Sequence, residues 1–153
     1  MSGVFATIEF KHDAIQRKLN QLRRFPEQDV QEVFYDLGPH LMRSMLKRAK
    51  QGVDPDGRKW RPLSDAYAKW KKKKRPAAGI LFFDRHMLGD MFSYRAGTRE
   101  LLIGTNAIYG AAHQWGNKKN RIPSRPFVGF STQDKTDILD ILSEHIVRLA
   151  ARP

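Results

Sequence analysis

The sequence predicts an α+β fold, in which a small antiparallel sheet packs against a long kinked N-terminal helix and a C-terminal helix, with a long basic loop between them. Three observations carry this. Val30, Val33, Phe34, Leu37, Leu41, Met45 and Ala49 recur at three- and four-residue spacing, which gives one continuous apolar helix face. Ile138, Leu142, His145 and Leu149 form a second such stripe. Between the two, residues 92–96 and 100–105 read as strands turning at Gly97-Thr98, the pattern of a β-hairpin.

Taken in order, Val4, Ala6, Ile8 and Phe10 alternate with Phe5, Thr7 and Glu9 and read as a half-buried strand. Asp13 can cap a helix over residues 14–25, with Ile15, Leu19 and Leu22 on one face. Pro26 suits the first turn of the long helix, where its missing N–H would have no partner anyway. Gly38-Pro39 falls inside that helix and predicts a kink rather than a break, and Gln51-Gly52 ends it.

Residues 53–79 have little periodicity and read as a basic loop inserted in a single domain spanning residues 1–153. Val53-Asp54-Pro55-Asp56-Gly57 has turn chemistry, and Ser64 can cap a short helix through Trp70. In the run Lys71-Lys72-Lys73-Lys74-Arg75 like charges repel and little apolar area is available for burial, so a mobile loop is expected. Short helices are expected over 84–92 and 107–115, and a short strand over 127–130. Ser131 with Asp134 three residues on caps the last helix, whose stripe is flanked by Leu139, Ile141 and Ile146. There is no internal repeat.

A chain of 153 residues can bury a sizeable core. Without cysteine there is no disulfide framework, no thiolate zinc site and no Cys nucleophile. No apolar run is long enough for a membrane span, and the first ten residues lack the pattern of a signal peptide, so a soluble protein with no membrane partner is expected. The net charge is +12, and it is uneven: residues 58–75 hold nine Lys or Arg against one acid, Asp65, and so carry two thirds of it. Such a cluster can contact phosphate, mate with an acidic partner or stay solvated.

No catalytic, cofactor-binding or metal-binding constellation is apparent. Asp54-Pro55-Asp56-Gly57 resembles a calcium loop only superficially, because its glycine comes two positions early and Asp65 stands where a bidentate Glu is needed. The five histidines, His12, His40, His86, His113 and His145, lack metal-ligand spacing. Ser93, Ser124 and Ser131 lack a nucleophile-elbow context, and Gly104 and Gly110 make no dinucleotide fingerprint. In the basic segment Trp60, Tyr67 and Trp70 interleave with cations. Aromatics can stack on bases while cations meet phosphates, or they can pack inward as anchors while the lysines face water. Arg58, Lys59, Arg61, Lys69, Lys71, Lys72, Lys73, Lys74 and Arg75 are therefore the candidates for contact with DNA or an acidic partner.

Three ordered motifs add a resemblance. Pro55-Asp56-Gly57-Arg58-Lys59-Trp60-Arg61-Pro62-Leu63-Ser64, then Ile103-Gly104-Thr105 with Tyr109 and His113-Gln114-Trp115-Gly116, then Ile122-Pro123-Ser124-Arg125-Pro126-Phe127-Val128-Gly129-Phe130-Ser131 resemble the motifs of the phage virion morphogenesis family, which includes P2-like tail completion proteins and their Mu-like counterparts. The likeness covers about residues 30–150. Trp115 stands where Phe is commoner, and Phe83-Asp84-Arg85-His86-Met87-Leu88 replaces a more usual T-G-x-L pattern.

The resemblance implies a structural virion protein rather than an enzyme. It would be a tail completion or head–tail joining subunit that forms a homo-oligomeric ring, a hexamer by family analogy, beside other neck and tail proteins and with DNA in the lumen. Read from the residues, Pro123 and Pro126 hold Arg125 in a fixed direction, suited either to a carboxylate of a neighbouring subunit or to a local salt bridge or helix cap. Phe127 is expected to enter the sheet. Trp60, His113, Trp115, Arg125 and Phe127 are the candidate subunit-interface residues.

Overall fold

The computed structural model describes residues 12–75, 79–81, 88–89 and 91–153. The strand expected at residues 4–10 and most of the helix expected at 84–92 lie outside the described residues. The rest is α+β, with five helices and one two-stranded antiparallel sheet among the described residues.

Helix α1 (Asp13–Leu22) buries Ile15 and Leu22. Its N-cap is His12 rather than the expected Asp13: the imidazole accepts the Ile15 N–H at 3.4 Å, and Asp13 sits in the first turn, where a negative charge favours the helix dipole. Helix α2 (Glu27–Gln51) begins after Pro26 and runs through Pro39 to Gly52. All seven residues of its expected stripe are buried, together with Gly38. The absent side chain at Gly38 has a packing reason, because a Cβ there would overlap the Tyr94 ring.

Tyr94 belongs to the hairpin, β1 (Phe92–Ala96) paired with β2 (Leu101–Thr105), with Tyr94 opposite Ile103. The hairpin packs on α2, and Gln31 of that helix donates to the Ala96 carbonyl at 3.0 Å.

Helix α3 (Asp65–Lys74) corrects the sequence expectation. Ser64 caps it as anticipated, but it continues through Lys74 instead of yielding to a loop at Trp70. Lys71 supplies a physical reason. It is buried, and its ammonium donates to the carbonyls of Gly79 and Ile80, at 2.8 Å for the latter, so one lysine of the run is an internal tie. Helix α4 (Gly110–Trp115) follows, shorter than the expected 107–115. Helix α5 (Thr132–Ala150) carries the expected capping box of Ser131 and Asp134. Residues 127–130 are not a strand.

Helix α5 packs on α1 and α2, with Leu142 fully buried, a burial that stabilises the fold by about 2 kcal/mol. A polar seam lines the α2–α5 contact. Arg152 meets Asp29 at 2.8 Å, His145 meets Asp36 at 2.8 Å, and His40 meets Asp137 at 3.0 Å. At the inner end Arg48 meets the buried Asp134 at 2.6 Å, and Ser44 donates to the same carboxylate.

Candidate functional site

The three sequence motifs converge on one place, where they form a clasp made of hydrogen bonds to backbone carbonyls and amides. Its first strand of contacts comes from the turn at residues 53–59. Asp54 accepts the Arg58 N–H through its side chain at 2.8 Å and the Gly57 N–H through its carbonyl at 3.0 Å, so this is a plain turn. The turn delivers Trp60 inward, where its indole N–H donates to the Pro126 carbonyl at 2.9 Å. Pro55 is pressed against Gly129, where a Cβ would overlap the proline ring.

The second comes from Gln114, which is buried at the inner face of α4. Its Oε1 accepts the Phe127 and Val128 N–H groups at 2.9 and 3.0 Å, and its Nε2 donates to the Val128 carbonyl at 2.8 Å. One side chain thus supplies the pairing that a neighbouring strand would give, which is why the apolar run 127–130 is ordered without entering the sheet. Phe127 is buried and stacks edge-on with Phe92 of β1, with ring centroids 6.4 Å apart.

The third comes from Arg125, which is buried rather than displayed outward. Its guanidinium donates to the carbonyls of Arg61 (2.8 Å) and Pro62 (3.0 Å), and its own N–H donates to the His113 carbonyl at 2.7 Å. The rigid two-proline segment therefore aims the arginine at the chain's own backbone. Burial, and secondarily Arg61, lowers the Arg125 pKa below the usual value. Burial, and secondarily Arg125, also lowers those of His113 and Lys71. His113 stands edge-on to Tyr109 with its Nδ1 buried and without a hydrogen-bond partner.

Of the five residues expected at a subunit interface, Trp60, Arg125 and Phe127 thus act inside the chain, His113 is half-buried, and Trp115 is open at 57% exposure. The candidates for acidic or nucleic-acid contact divide too. Arg58, Lys59, Arg61, Lys69, Lys72, Lys73, Lys74 and Arg75 are exposed, whereas Lys71 is not. Sequence reasoning gave no role to Gln114 or to the Arg48–Asp134 pair. Arg48 also donates to the Gly129 carbonyl at 2.6 Å, which joins the α2–α5 seam to the clasp. The signal for Gln114 was its place in the second motif; no periodicity marks it.

Among the described residues no group of three or more His, Asp or Glu is placed to hold a metal, and no helix is long and apolar enough to cross a membrane. What the arrangement does chemically is fix backbone: amide, indole and guanidinium donors satisfy carbonyls that the turns leave unpaired.

Comparison with known proteins gives the same direction. The chain is 26% identical over 113 residues to the putative capsid assembly protein G of Escherichia phage Mu, covering 69% of this chain and 72% of that protein. It is 33% identical over 81 residues to the Mu-like prophage FluMu G protein 2 of Haemophilus influenzae, covering 50% and 58%. An uncharacterized protein of Methanocaldococcus jannaschii is 26% identical over 100 residues, covering 63% and 74%. No solved structure matches. The sequence pattern of the phage virion morphogenesis family matches residues 10–147, and the chain belongs to that family.

Proposed function

We propose that this protein is a non-enzymatic structural subunit of a tailed-phage virion, a tail completion or head–tail joining protein that assembles into a ring at the neck or the top of the tail. The clasp carries the reading. The polar residues that the three motifs bring together are turned onto the chain's own carbonyls and amides, as Gln114, Arg125 and Trp60 are, so they build shape and leave no nucleophile–base pair to run a reaction. The Mu relative, named for capsid assembly, supports an assembly role. A ring requires a head-to-tail interface whose rotation closes. Electron microscopy of particles made without this protein tests the proposal: separate heads and tails are expected, and fully joined particles would overturn it.

A second reading has one observation in its favour. Helix α3 orders exposed Lys69, Lys72, Lys73 and Lys74 beside the ring pair Tyr67–Trp70, whose centroids are 5.5 Å apart. Cations next to aromatics suit sequence-independent contact with nucleic acid. Binding of the purified chain to labelled DNA, weakening steeply with salt and lost in Lys72→Gln/Lys73→Gln/Lys74→Gln, would favour this reading.

A further inference from the structure

Beside the clasp lies an open cleft of about 1440 Å³. Its walls include Tyr67 from α3, Tyr109 and Trp115 from the second motif, and the cations Arg61, Lys118 and Arg121. Trp115 is 57% exposed, Tyr67 and Tyr109 are exposed as well, and Ile108 is open nearby. Large exposed rings bordered by arginine and lysine are the composition of a protein-binding surface. A DNA duplex would meet these cations but leave the rings without a partner, because its bases are already stacked.

The complementary surface is on the same chain. On α5, Asp137, Asp140, Glu144 and Val147 recur at three- and four-residue spacing, with Asp140 and Glu144 exposed and Val147 open at 69%. Val147 is thus an apolar side chain beside an acidic stripe on one helix face. The stripe spans about 15 Å, and the cleft has about the volume of three turns of a helix 10 Å across. The two surfaces belong to different parts of the fold: α5 packs on α1 and α2, while the cleft walls come from α3, α4 and residues 116–125.

Given the ring proposed above, we propose that it closes by seating the acidic face of α5 from one copy in the basic aromatic cleft of the next. Trp115 and Tyr109 meet Val147, and Arg61 and Lys118 meet Asp140 and Glu144. The two patches differ, so the contact is heterologous and leaves each copy one free cleft and one free helix until the ring closes. Opposite charges also speed the encounter and set the register.

The test uses two reversed chains, Arg61→Glu/Lys118→Glu and Asp140→Lys/Glu144→Lys, with mass read by light scattering on the full-length protein and folding checked by circular dichroism. The wild type should form rings, each reversed chain alone should remain a monomer, and mixing the two should restore rings, because every cleft then faces a helix of opposite sign. Rings formed by either reversed chain alone, or a mixture that fails to reassemble, would overturn the interface and leave the ring reading standing. A wild type that stays monomeric at every concentration would overturn both. Should a reversal impair folding, Trp115→Ala and Val147→Ser take its place, each expected to weaken assembly by about tenfold; unchanged assembly in both would overturn the proposal.

Discussion

The clasp around Gln114 and the seam between α2 and α5 both place polar groups within the fold, but with different chemistry. The clasp pairs side-chain donors and acceptors with backbone groups, and no carboxylate takes part in the contacts of Gln114, Trp60 or Arg125. The seam pairs charged side chains with one another, from the half-exposed Arg152–Asp29 rung to the buried Arg48–Asp134 rung. A bond to a carbonyl keeps its strength across pH and salt, whereas an ion pair depends on both. The three motif segments run through the clasp, and none carries a rung of the seam. The difference teaches that the residues marking this family are those that fix its backbone, while the charges that clamp its helices are a separate device.

The largest effect is expected where the two regions join. Asp134→Ala removes the partner of Arg48, the acceptor of the Ser44 hydroxyl and half of the α5 capping box, and should cost about 4 kcal/mol in urea unfolding. A loss below about 1 kcal/mol would mean that the buried rung is worth no more than an exposed one. Gln114→Leu keeps the volume but strands two N–H groups and a carbonyl, so about 3 kcal/mol should be lost at every pH, with the slope of the denaturant curve unchanged. Trp60→Phe keeps a buried ring and forfeits only the bond to Pro126, a loss of about 1 kcal/mol.

Acid separates the regions most gently. The hydrogen bond from His40, then that from Gln133, holds the Asp137 carboxyl below its usual value of 3.8, outweighing the opposing effect of burial. A depressed carboxyl pKa contributes stability that is present above 3.8 and disappears as pH falls through the folded value. Asp137→Asn should therefore flatten the loss of stability below about pH 4, while Gln114→Leu leaves the shape of that curve alone. Equal flattening in both variants would erase the distinction between clasp and seam.

How much of this was legible in the sequence differs by element. The α2 stripe, the hairpin and the Ser131–Asp134 box follow from local periodicity and capping, and the structure has them where they were expected. Residues 127–130 look like a strand because they are apolar and extended, yet the group that pairs with them is a side chain thirteen residues away in sequence, which no periodicity encodes. Lys71 is indistinguishable in type from Lys72, Lys73 and Lys74. Only a helix continuing past Trp70 puts it three positions after Ala68, on the face that turns inward. For Arg125 the flanking prolines correctly indicated a fixed direction, but direction alone does not say whether a carboxylate or a carbonyl waits at the end of it.

The central claim, that the motifs tie the backbone of the isolated subunit to itself, is tested most directly by amide hydrogen exchange at Phe127 and Val128. Neither residue lies in a strand, and their N–H groups are held by the Gln114 side chain alone. In the wild-type monomer both amides should be protected to nearly the level of global unfolding, as for core amides, and Gln114→Leu should release them while the amides of α5 stay protected. Wild-type amides at 127 and 128 that exchange as fast as those of an open loop would contradict it.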